Sequence, residues 1–194
     1  MGLYDSRWYD EQYHGEKMSM DANNPPGLDV HADRDRAFFR EMGLGPGQKI
    51  LECGCGGCGG LYLMVNEFGC DNLAAFDFSL VAVEYCWRWL PQVDAKMSST
   101  RDIPWADGSF DVIVAKDFTE HLRLVDYVAW IVECRRLLRP GGLLGVLPGV
   151  TAMPEHINLI APRSVAYHLM QFGFRVTDCD NVRALAIWPK EAEA

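Results

Sequence analysis

From residue 50 onward, short continuous apolar runs alternate with longer stretches in which apolar residues recur every three or four positions. Short runs bounded by turn residues read as buried strands, and the three-to-four spacing reads as one face of a helix. Strands are predicted at 50–53, 73–76, 93–97, 110–115 and 143–147, with two more at 174–177 and 184–188. Helices are predicted at about 60–68, 125–138, 162–171 and 80–90, the last with Val83, Trp87 and Leu90 on one face. Strands alternating with helices imply a parallel sheet and an α/β fold. Upstream, Ala37, Phe38 and Met42 mark a helix over 33–42, which Gly43-Leu-Gly-Pro-Gly47 stops. Residues 1–30 read as an irregular or partly helical arm carrying Trp8, Tyr9, Tyr13 and His14, broken by Asn23-Asn-Pro-Pro-Gly27. The organisation expected is a single domain over 1–194. Residues 1–45 form an arm and helix that can act as a lid, and 48–190 form the core.

Composition narrows the partners. A chain of 194 residues with 49% hydrophobic content suits one α/β domain. Its net charge of −9 makes nucleic acid and anionic membranes poor partners. Arg135, Arg136 and Arg139 are read as a solvated helix face. No apolar run reaches the ~18 residues of a membrane-spanning helix. The start of the chain lacks the apolar centre of a signal peptide. Seven cysteines, an odd number, then read as reduced thiols of a cytoplasmic protein. Cys53-x-Cys55-x-x-Cys58 has the spacing of half a metal knuckle, but no second pair completes it.

The strongest chemical signal is Lys49-Ile-Leu-Glu-Cys-Gly-Cys-Gly-Gly-Cys-Gly-Gly60. A strand ends in an acid, a glycine turn follows, and a helix begins. Glycine permits positive φ and close approach of a ligand, and a helix N-terminus offers N–H donors. A nucleoside-type cofactor is expected here. Asp77, 21 residues after Gly56 and at the end of the next strand, is placed to accept hydrogen bonds from ribose hydroxyls. Gly54-Cys-Gly-Gly-Cys-Gly59 alone fits a nicotinamide dinucleotide equally well.

Several segments resemble class I S-adenosylmethionine (SAM)-dependent methyltransferases. Glu52, Gly54 and Gly56 match motif I, (D/E)-x-G-x-G-x-G, with Cys58 in place of the third glycine. Ala-Phe-Asp77-Phe-Ser79 resembles the family's Gly-x-Asp-x-Ser, and Ile103-Pro-Trp-Ala-Asp-Gly-Ser-Phe-Asp-Val-Ile-Val114 resembles L-P-F-x-D-G-S-F-D-x-V. Arg135-Arg-Leu-Leu-Arg-Pro-Gly-Gly-Leu-Leu-Gly-Val146 looks like L-x-P-G-G-x-L, whose proline is expected to stop a helix and whose glycines turn the chain. The matches span about residues 48–178. The resemblance implies a Rossmann-like three-layer α/β sandwich. Its seven-stranded sheet is mostly parallel and ends in an antiparallel C-terminal hairpin. It also implies SAM as cofactor and S-adenosylhomocysteine as product. Glu52, Gly54, Cys55 and Gly56 would hold the methionine part, Asp77 the ribose and Phe78 the adenine edge, with Asp117 and Phe118 near the sulfonium. Ser99 stands where many members place an adenine-binding Asp, so Ser98 or Ser99, backbone groups or apolar packing would serve instead.

The acceptor is expected to be a small molecule methylated on oxygen or nitrogen. The catalytic candidates lie after the fourth and fifth strands, in Lys116-Asp-Phe-Thr-Glu-His121 and Pro154-Glu-His-Ile157. His121 and His156 are candidate bases, with Glu120 beside the first. No metal ligand is assigned. As an alternative, Asp117-x-x-Glu120-His121 resembles the Glu-x-x-Glu-His of two metal-dependent groups. These are the catechol O-methyltransferases of ubiquinone biosynthesis and the small-RNA 3′-end 2′-O-methyltransferases. His156 would then be an added ligand. A non-catalytic SAM-binding protein is the remaining rival, and a homodimer is an open expectation.

Overall fold

A computed structural model describes residues 31–189 together with Glu11 and Pro26. Trp8, Tyr9, Tyr13 and His14, and with them the expected lid, lie outside the described residues. The fold is α/β. Seven strands, β1 (Lys49–Cys53), β2 (Asn72–Asp77), β3 (Asp94–Met97), β4 (Phe110–Lys116), β5 (Leu138–Leu147), β6 (Arg175–Cys179) and β7 (Ala184–Ile187), form one sheet in the order β3-β2-β1-β4-β5-β7-β6. The helices are α1 (Ala32–Glu41), α2 (Gly59–Asn66), α3 (Leu80–Trp89), α4 (Leu124–Leu137) and α5 (Pro162–Gln171). The chain divides into two compact units, residues 1–48 with 54–99, and 49–53 with 100–194. No helix among the described residues is long and apolar enough to cross a membrane.

In the first unit β2 and β3 pair in parallel, with Asp77 opposite Met97. Helix α1 meets the end of α2 through Phe39 and Phe68, whose rings stand edge to face at 5.7 Å. The Arg36 guanidinium bridges Asp33 and Glu67 at 2.7 Å each. Ser79 caps α3 by accepting the amide of Ala82. Val83 and Leu90 are buried as their spacing predicts. Trp87 is half exposed instead, because its indole N–H reaches out to the carbonyl of Ala95 at 2.9 Å.

In the second unit β1, β4 and β5 run parallel, β7 is antiparallel to β5, and β6 is antiparallel to β7. Val112, Ile113, Val114 and Ala115 are all buried, as expected of a central parallel strand covered on both faces. The expected boundary at Pro140 is corrected. Helix α4 ends at Leu137, Leu138 already pairs with Phe110, and Val112 pairs next with Leu143. Residues 139–142 therefore bulge out of the ladder, with Gly141 at φ 86°. Gly141 donates to the carbonyl of Trp188, and Trp188 donates back to Gly142.

The arginines are not a merely solvated face. Arg135 lies over the Trp188 ring, and Arg139 pairs with Asp111. Arg136 donates to Glu133, Asp107 and the carbonyls of Ile103 and Trp105, while Glu133 also accepts the amide of Ile103. This network fastens the 103–110 segment to α4. Hydrogen bonds from Arg136 hold the Glu133 carboxyl below its ordinary value of 4.5, against the opposing effect of burial. A depressed acid contributes stability above its unfolded pKa and loses it as pH falls through the folded one. Glu133→Gln is therefore expected to destabilise the protein at pH 7 by about 1–2 kcal/mol. In thermal melts, the gap from the parent protein should narrow below roughly pH 4.

Candidate functional site

The glycine loop of the first unit folds by backbone bonds that place its amides. Gly54 and Cys55 both donate to the carbonyl of Phe76, at 2.9 and 3.2 Å. Gly54 and Gly56 adopt φ of 71° and 43°, a region glycine enters without steric cost. Cys58 follows at φ 60° and stands at the N-cap of α2, so the position where the family pattern has glycine does require the left-handed conformation. The Asp77 carboxylate accepts the amide of Gly56 at one oxygen and that of Ser79 at the other, both at 2.9 Å. The loop and the acid thus fit a nucleoside cofactor: the acid is aimed by the same turn that carries the glycines. Ser98 donates its amide to the carbonyl of Asp77, and its hydroxyl to the carbonyl of Ser99. Phe78 remains partly exposed.

The cysteine knuckle does not assemble. Cys58 touches Cys55 and Cys86, and these thiol contacts, with burial, push its pKa far up. Cys53 belongs to the other unit, where it accepts the Trp130 indole N–H at 3.4 Å and lies against Cys134. All seven cysteines carry free thiols. Glu52 is buried on β1 opposite Val114.

In the second unit the end of β4 builds a different chemistry. Asp117, at φ 45°, donates its amide to Leu147, and Phe118 stacks edge-on against Trp130 at 5.7 Å. A 3₁₀ turn, Thr119–His121, then turns Glu120 inward. Glu120 is 0% exposed, and neither carboxylate oxygen makes a hydrogen bond of ordinary geometry. Burial raises its pKa, with the amides of Glu120 and Gly149 pulling weakly the other way. Burial, then the neighbouring His156, lowers the pKa of His121, so its imidazole is neutral at pH 7.

The loop after β5 delivers His156. Its ring meets that of His121 edge to face, with centroids 4.8 Å apart. Nδ1 lies 2.6 Å from the carbonyl oxygen of Thr151. A carbonyl only accepts, so Nδ1 carries a proton and Nε2 is the nitrogen left to accept one. One ligand atom from each of Glu120, His121 and His156 lies within 4.8 Å of the others. Sequence reasoning named all three but missed what makes room for them. A Cβ on Gly149 would meet the Glu120 carboxylate, so a side chain there would have to displace that carboxylate. The one available signal was Pro148-Gly149 directly after a predicted strand. Asn158 was also missed; its amide donates to the carbonyl of Glu120 at 3.0 Å and ties the loop to the turn.

Comparison with known proteins identifies the family. A family described as a methyltransferase domain matches residues 51–146. A ubiquinone biosynthesis O-methyltransferase of Xanthomonas campestris pv. campestris is 32% identical over 97% of this chain and 75% of its own length. The sterol 24-C-methyltransferase of Schizosaccharomyces pombe is 28% identical over 74% of this chain and 40% of its own. The chain spans 37%, 40% and 36% of three of the curated relatives it matches. Among solved structures, a SAM-dependent methyltransferase from Aquifex aeolicus superimposes with a TM-score of 0.69 at 21% identity, over 95% of this chain and 99% of that one. At that identity the likeness concerns the fold.

Proposed function

This chain belongs to the class I SAM-dependent methyltransferases, and on that premise we propose that it transfers a methyl group from SAM to a small-molecule acceptor, at a hydroxyl oxygen. One observation carries the choice of oxygen: a half-buried pair of imidazoles, one of them held by a backbone carbonyl, stands after β4 and β5. A neutral amine needs little beyond placement, whereas a hydroxyl gains from a base. A relative matching nearly the whole chain is named as an O-methyltransferase. Nitrogen acceptors remain the second choice of acceptor atom.

In this reading Gly54, Cys55, Gly56 and Asp77 hold the cofactor with Phe78, Ser98 and Ser99 of the same unit, and the family resemblance adds roles for Glu52, Asp117 and Phe118. When bound, SAM supplies an electrophilic methyl group. The protein contributes orientation and proton removal. His156 takes the hydroxyl proton at Nε2. The Thr151 carbonyl holds its ring in place, and the neutral His121 ring packs against it.

A specific observation favours a second reading, in which a divalent cation lowers the hydroxyl's pKa. A buried carboxylate without a hydrogen bond beside two imidazoles is a fitting donor set. Tetrahedral donors at ~2.1 Å from an ion stand ~3.4 Å apart, so the cluster would have to contract slightly. The test is transfer of a labelled methyl group from SAM to matched phenols and anilines, with and without chelator. Turnover on phenols supports the proposal. Turnover confined to anilines overturns the choice of oxygen, and S-adenosylhomocysteine binding without turnover on any acceptor overturns the enzymatic reading.

A further inference from the structure

The loop after β5, residues 148–161, has a composition that loops seldom have. It contains one charged side chain, Glu155, in a chain that is 23% charged. Four of its five large apolar residues are exposed: Val150 is 61% exposed, Met153 47%, Ile157 45% and Leu159 47%. Surface loops are ordinarily polar, so four large apolar side chains on one loop call for a ligand.

This surface is held in place. Three hydrogen bonds fix the loop: His156 amide to Met153 carbonyl, His156 Nδ1 to Thr151 carbonyl, and Asn158 amide to Glu120 carbonyl. Two of these bonds close the loop on itself and the third ties it to the 3₁₀ turn, while Val150, Met153, Ile157 and Leu159 stay exposed. Ile157 follows His156 in the chain and the Met153 carbonyl accepts the His156 amide, so two of these apolar residues are immediate neighbours of the base.

We infer that the acceptor carries an apolar substituent, an alkyl chain or hydrocarbon ring system, which lies on Val150, Met153, Ile157 and Leu159 while its hydroxyl reaches His156. The inference rests on the methyl-transfer reading for the role of His156. A net charge of −9 sets the protein against an anionic bilayer as the occupant. Adjacency to the histidine favours the acceptor over a second copy of the chain.

The test is a series of 4-alkylphenols, methyl to hexyl, titrated calorimetrically into the full chain saturated with S-adenosylhomocysteine. Affinity is expected to rise roughly threefold per methylene, near the transfer value of a buried CH₂. The combined variant Met153→Ser, Ile157→Ser, Leu159→Ser should flatten that slope and keep S-adenosylhomocysteine affinity. Val150→Ser, alone, provides a milder variant if the triple one fails to fold. A flat series in the parent protein overturns the inference, as does a slope that survives in the variants. A dimer in sedimentation that the triple variant dissociates also overturns it, since a second copy would then cover the loop. A slope present without methyl transfer supports the apolar surface and counts against the methyl-transfer reading instead.

Discussion

Asp77→Ala is expected to weaken S-adenosylhomocysteine binding by at least about a hundredfold, the effect of losing two hydrogen bonds from a charged acceptor. The same carboxylate also holds the amides of Gly56 and Ser79, one on each oxygen. The substitution therefore removes a ligand contact and releases the loop that shapes the rest of the site. Asp77→Asn does not rescue it. An amide keeps one acceptor oxygen but turns an NH₂ group toward an N–H donor, so either Gly56 or Ser79 faces a donor. Calorimetric titration of the three proteins, with melting temperatures alongside, checks this. A Kd within threefold of the parent for Asp77→Ala would mean that the ribose is held elsewhere.

That double role explains what could be read from the sequence and what could not. The glycine pattern and the distance to Asp77 are local facts of composition and spacing, and the backbone follows from them. The strands β1, β2 and β4 were equally plain, because a strand buried on both faces has to be a continuous apolar run. Cys58 was visible as a departure from glycine. Its φ of 60° shows that the turn keeps its left-handed geometry with a side chain present.

Other features depend on partners far away in the chain. Pro140-Gly-Gly142 looks like a helix stop followed by a turn. Its actual state is set by β4 and Trp188, whose pairing with 138–143 draws the segment into a bulged strand. The arginines look like surface charge until Glu133, Asp107 and Trp188 are seen beside them. His121 and His156 were each ambiguous in isolation, since a lone histidine is usually packed or solvated. Only the fold brings their rings to 4.8 Å and supplies the Thr151 carbonyl that holds the His156 ring. Pro148-Gly149 reads only as a turn until Glu120 is seen to occupy the space a Cβ would need.

The same cluster yields the second large effect. His156→Ala is expected to lower kcat on a hydroxyl acceptor by roughly a hundred- to a thousandfold, within the range for loss of a positioned base. S-adenosylhomocysteine affinity should stay within about twofold, because His156 is assigned no cofactor contact. Glu120→Gln then separates the two readings of the site. Its carboxylate is buried, and burial disfavours the charged form, so the neutral isostere is expected to raise the melting temperature at pH 7. If His156 acts as base on its own, Glu120→Gln keeps most of kcat and a chelator changes nothing. If a cation holds the acceptor oxygen, Glu120→Gln loses activity in step with His156→Ala, and a chelator reproduces the loss in the parent protein. Added Mg²⁺ or Zn²⁺ then restores the parent but neither variant. A His156→Ala protein with parental kcat on phenols would exclude both roles and leave placement by the cofactor loop as the whole of the catalysis.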